Sequence, residues 1–108
     1  MTRDEFTALL RGEMEALLEL NNTKGREYAG DADALANFKG EAAELGLTAE
    51  QVWHVFANKH WRAISAYCRT GEVLSEDIDG RIRDLALYGF LLLGLARERQ
   101  LRTRLEAA

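Results

Sequence analysis

The sequence predicts an all-α protein, a compact bundle of about four helices. Three observations carry this. No proline occurs anywhere in the chain. The apolar residues recur at helical spacing rather than alternating. Two capping boxes, Thr2 with Glu5 and Thr48 with Gln51, open amphipathic runs. At 108 residues the expectation is a single domain spanning 1–108. An apolar share of 47% with 30% charged residues fits a globular chain rather than a disordered one.

The first helix is expected from Arg3 to Leu20, with Phe6, Leu9, Leu10, Met14, Leu17 and Leu18 on one stripe. Asn21, Asn22 and Gly25 are expected to break it, because NNTKGREYAGDAD is the stretch densest in turn chemistry. A short helix follows from Ala32 to Leu45, and Gly46 suits a left-handed stop. The helix after Thr48 is expected to reach Arg69 and end at Gly71, with Val52, Val55, Phe56, Ile64 and Tyr67 as its core face. Ser75 is the expected cap of the last helix, and Glu76, Asp77 and Asp79 favour the positive end of its dipole. That helix carries Ile78, Ile82, Leu85, Leu92 and Leu95, then turns basic in ARERQLRTR. Its segment from Leu85 to Ala96 is apolar nearly all the way round: either part of it buries against a second copy, which makes a homo-oligomer the expectation, or the helix is wrapped entirely by its own chain.

Charge and cysteine content narrow the function. A net charge of −4 argues against binding duplex DNA or RNA, whose affinity comes mainly from cations on phosphates. A small phosphorylated ligand needs only a few cations. The single cysteine, Cys68, cannot form an internal disulfide, and its plainest role is that of a small hydrophobe. The opening MTRDEF has no apolar stretch that could act as a secretion signal, so none is expected, and the longest apolar run falls short of the roughly 20 residues needed to span a bilayer. The expected location is the cytoplasm, with no membrane partner.

Two segments carry candidate chemistry. In KGREYAGDADALANF, Lys24 and Arg26 can neutralise phosphate, Tyr28 and Phe38 can stack on a base, and Asn37 can read a base edge. The structural alternative packs both rings in the core and makes Asp31 or Asp33 a helix cap. In NKHWRAISAY, Lys59 and Arg62 share a helix face, where like charges three residues apart repel unless an anion lies between them. Trp53 and Trp61 can flank a ligand or simply pack. His54 and His60, six apart, do not make an i,i+4 metal pair, so no metal is expected. No Ser/His/Asp or Cys/His set and no phosphate-binding glycine loop occurs, and no cofactor or catalytic residue is assigned.

The carboxylates decide the alternative. Helical pyrophosphohydrolases of the MazG and dimeric dUTPase kind hold magnesium between two acidic helices, since that ion needs several oxygens in near-octahedral geometry. Glu76 and Asp79 supply one Glu-x-x-Asp half, and Asp84 lies deeper in the same helix. Glu13, Glu15 and Glu19 on the first helix do not supply the other. Asp84, close to Tyr88 four residues on, calls for a cationic partner, with Arg62, Arg81 and Lys59 as the choices.

The string Lys24-x-x-Glu27-Tyr28-Ala29-Gly30-Asp31-x-Asp33, with Asn37-Phe38, resembles small phage proteins of the nucleotide-modification-associated domain 1 type. The likeness continues through Lys59-x-x-Arg62 to Glu76-x-Ile78, Asp84-Leu85 and Tyr88. One departure is Gly80, where such relatives carry an acid. Phage proteins similar to this include anti-CBASS sponges, small helical oligomers that bind a host cyclic dinucleotide signal without cleaving it. The resemblance implies a phage-type nucleotide-binding protein whose ligand contacts are Lys24, Tyr28, Asn37, Phe38, Lys59, Arg62, Asp84 and Tyr88. The alternative is a magnesium-dependent pyrophosphohydrolase or nucleotide-modification accessory using Glu76, Asp79 and Asp84.

Overall fold

A computed structural model describes residues 1–72 and 77–107. Helices account for it: α1 (Arg3–Leu20), a π-helical turn (Asn21–Gly25), α2 (Arg26–Ala29), α3 (Ala36–Leu45), α4 (Ala49–Thr70) and α5 (Ile78–Ala107). No strand occurs among the described residues. By its contacts the chain divides into two compact units, Met1–Ala34 and Leu35–Ala108.

The first unit opens as its capping box dictates. Glu5 N donates to Thr2 Oγ1 at 3.0 Å, and Thr2 N donates back to Glu5 Oε2 at 3.3 Å. These two bonds satisfy backbone donors that the first helical turn leaves open. The expected break at Asn21 does not occur. The chain continues through the π-helical turn into α2 and stops only at Gly30, whose φ of 77° is open to glycine. The Thr23 hydroxyl donates to Glu19 O at 3.0 Å, which adds a bond across the widened turn. Weak helix formers cost up to about 1 kcal/mol each, and a long preceding helix tolerates that. The α1 stripe is not a core face: Phe6, Leu9, Leu10, Met14 and Leu18 are all exposed.

The second unit holds the core. α3 starts at Ala36 rather than Ala32, with Leu35 at its N-cap and no side-chain cap bond. Asp31 is engaged instead by Arg26, at 3.1 Å. Gly46 ends α3 with φ 68°, and two residues later the Thr48–Gln51 box opens α4 with bonds of 2.9 and 3.1 Å. Gly71 closes α4 with φ 73°. Leu35, Phe38, Ala42, Val52 and Leu95 form the buried cluster, and Trp53, Phe56, Tyr88 and Leu91 pack against it. α4 therefore turns Val52, Trp53, Phe56 and Ala57 inward. Val55 is 55% exposed and Tyr67 is also exposed, which corrects two of its expected core positions. Val55 lies about 130° around the helix from the middle of that inward face, which turns it to solvent.

α5 starts beyond the expected Ser75 cap, which with Glu76 lies outside the described residues. Asp77 Oδ1 accepts from Asp79 N at 3.4 Å at this end. α5 buries Leu95 and half-buries Tyr88 and Leu91 on its inner side, while Ile82, Phe90, Leu93 and Leu101 remain exposed. No helix among the described residues is long and apolar enough to cross a membrane.

Candidate functional site

Two of the eight expected contacts, Lys24 and Tyr28, belong to the first unit, and both are exposed. The other six belong to the second. There the structure divides them into an outward pair, an inward pair, a core ring and one half-buried amide.

The outward pair is Lys59 and Arg62. Both are exposed on α4, on the side that also presents Val55. Neither makes an ion pair among the described residues. Two other cations of the chain differ. Arg26 is held by Asp31, and Lys39 Nζ lies 3.0 Å from Glu98 Oε2. Lys59 and Arg62 thus set two positive charges on one helix face, with no carboxylate among the described residues paired to either.

The inward pair is Asp84 and Tyr88, one helical turn apart on the face of α5 that packs on α4. The partner that meets Asp84 is His60, not Arg62 or Lys59. His60 Nδ1 lies 3.9 Å from Asp84 Oδ2, and the two side chains are only 17% and 24% exposed. At that separation the contact is electrostatic rather than a hydrogen bond, and its attraction requires a protonated imidazole. The His60 ring also tilts against Tyr88, with centroids 5.1 Å apart. Beneath it Trp53 Nε1 donates to Tyr88 O at 2.7 Å. The six-residue spacing from His54 speaks only against a metal pair and leaves the packing of His60 open. The signal available was its position four residues after Phe56 and seven after Trp53, which puts it on the inner face of α4.

Phe38 is 1% exposed and lies against Phe56 and Tyr88, with centroids 6.1 and 6.0 Å away. It is a core residue, and its ring offers no face to a base. Tyr28, at 68% exposure, does. Asn37, next to Phe38 in sequence, is half-buried at the start of α3. Trp53 packs on the core, while Trp61 is exposed.

The carboxylates spread rather than converge. Asp79 is exposed, Asp84 faces His60, and five residues of α-helix turn them about 140° apart. Glu15 and Glu19 are exposed on α1. Among the described residues no group of three or more His, Cys, Asp or Glu side chains is arranged to hold a metal ion. A shallow depression on α5, lined by Ala96, Arg99, Gln100, Thr103 and Arg104, includes none of the eight expected contacts.

The comparisons with known proteins leave the chain standing on this geometry: no family model, no curated protein and no solved structure matches it.

Proposed function

We propose that the chain is a nucleotide-binding protein that sequesters a cyclic oligonucleotide signal without cleaving it, working as a homo-oligomer in the cytoplasm of a phage-infected host. The observation that carries the reading is the exposed pair Lys59 and Arg62, neither of which makes an ion pair among the described residues. Two like charges at i,i+3 repel, and a bound phosphate diester removes that cost while gaining charge-assisted hydrogen bonds. In the first unit, Lys24 offers a cation without an ion pair among the described residues, and Tyr28 offers an exposed ring for stacking. Asn37 contributes a polar contact. Asp84 and Tyr88 act through His60 and the backbone of α5 as positioning residues for α4, and Phe38 acts as a core residue. The likeness of the Tyr28-Ala29-Gly30-Asp31 and Asn37-Phe38 segments to small phage nucleotide proteins supports the same class of ligand.

The test is chromatography of a nucleotide panel incubated with excess protein and magnesium, before and after heat denaturation. The panel holds deoxynucleoside triphosphates with cyclic di- and trinucleotides. A cyclic nucleotide that leaves the free pool and returns intact on heating is the expected result. Arg62→Ala should weaken that capture by about 1.5–3 kcal/mol. Conversion of any compound to a new product overturns the reading in favour of a magnesium-dependent hydrolase. A panel left free and unchanged overturns both.

A further inference from the structure

α5 is apolar on two sides, and its own chain covers one. The inner side meets α4 and the core through Tyr88, Leu91 and Leu95. The outer stripe runs through Ile82, Ala86, Gly89, Phe90, Leu93 and Leu101, and all six are exposed. At about 100° per residue these positions fall within roughly a third of the helix circumference. Phe90, at its middle, is 64% exposed. Ala86 and Gly89 leave room there for a second backbone to approach.

The ends of the stripe carry opposite charges. Asp79 extends it at the start of α5, Arg97 and Gln100 interrupt it before Leu101, and Arg104 extends it beyond. None of these three charged residues makes an ion pair among the described residues. A stripe that is acidic at one end, apolar in the middle and basic at the other is self-complementary only when reversed upon itself. A parallel pairing would set Asp79 beside Asp79 and Arg104 beside Arg104.

We propose that α5 pairs antiparallel with α5 of a second copy about a two-fold axis passing between Leu91 and Leu92. In that register Asp79 lies level with Arg104 of the second copy, Ile82 with Leu101, and Phe90 with Leu93. Ala86 falls level with Arg97 of the second copy, whose aliphatic stem covers the small residue while its charge reaches solvent. Each contact occurs twice, as a two-fold interface requires. The charged ends then select direction and register, and the apolar centre supplies the attraction. This inference rests on the self-association in the proposed function and is independent of the ligand.

The experiment is sedimentation equilibrium of the full chain with charge reversal at the two ends, with far-UV circular dichroism confirming that each variant stays helical. The wild-type chain should sediment as a dimer or an even multiple of one. Asp79→Arg and Arg104→Asp should each raise the dissociation constant at least about fivefold at low salt, since each sets like charges together twice. The double variant should return near the wild-type value. Phe90→Glu should abolish pairing. A monomeric or odd-numbered wild type, a dimer indifferent to Phe90→Glu, or a double variant weaker than either single one overturns the proposal. A monomer that still captures a cyclic nucleotide would sink the pairing and the self-association it rests on while leaving the ligand reading standing, so the two fail distinguishably.

Discussion

The indole N–H of Trp53 donates to the main-chain carbonyl of Tyr88 at 2.7 Å, joining α4 to α5 across 35 positions of sequence. Tyr88 in turn touches Phe38, Trp53 and His60 with its ring. One α5 residue thereby sets how far α4 slides along its neighbour, and with it the rotation that turns His60 inward and Arg62 outward.

Removing that bond should loosen the second unit. Trp53→Phe keeps an aromatic ring and loses the donor, and should cost about 0.5–1.5 kcal/mol, read from urea unfolding monitored by circular dichroism. A variant as stable as the wild type would show that the 2.7 Å contact contributes nothing net.

Phe38 and Tyr28 should behave as opposites. Phe38→Ala empties the centre of the buried cluster and should destabilise by about 3–5 kcal/mol. Tyr28→Ala, at an exposed ring, should change stability by no more than about 0.5 kcal/mol. Parallel melts of the two variants check both values.

For Lys59 and Arg62 the expected signs divide between folding and binding. Replacing both by alanine should leave stability within about 0.5 kcal/mol of the wild type or raise it slightly, since a like-charge repulsion is relieved. Capture of a cyclic nucleotide in the chromatographic assay should fall sharply. A large loss of stability would mean that the pair serves the fold.

The connection from α3 to α4 offers a fourth test. Thr48→Ala removes the acceptor of Gln51 N and should cost about 1 kcal/mol. Gly46→Ala forces a side chain into φ 68° and should cost roughly 1–2 kcal/mol. Thermal melts of both, with the double variant, report whether the stop of α3 and the cap of α4 act independently.

How much of this was legible in the sequence follows the range of each interaction. Both capping boxes act over three residues, and they put the starts of α1 and α4 where they are found. Gly46 and Gly71 likewise mark helix stops through backbone freedom alone. The π-helical turn was not legible, because Asn21, Asn22 and Gly25 are compatible with either a turn or a continued helix. Whether Val55 or Ala57 faces inward depends on the rotation of α4 over α5, which the Trp53–Tyr88 bond and the aromatic cluster fix at long range. The same rotation decided the candidate site. Spacing alone put Lys59 and Arg62 on one face, yet it could not exclude Arg62 as the partner of Asp84, nor see that Phe38 is sealed against Phe56.

The buried cluster of the second unit contains one large ring, Phe38, and otherwise small or aliphatic side chains. A core that lean gives each chain little stability of its own relative to the apolar surface it leaves in water. If the outer stripe of α5 is closed by a second copy, dilution then acts on this protein as a mild denaturant. Its melting temperature should climb with concentration, by mass action rather than by any change in the chain.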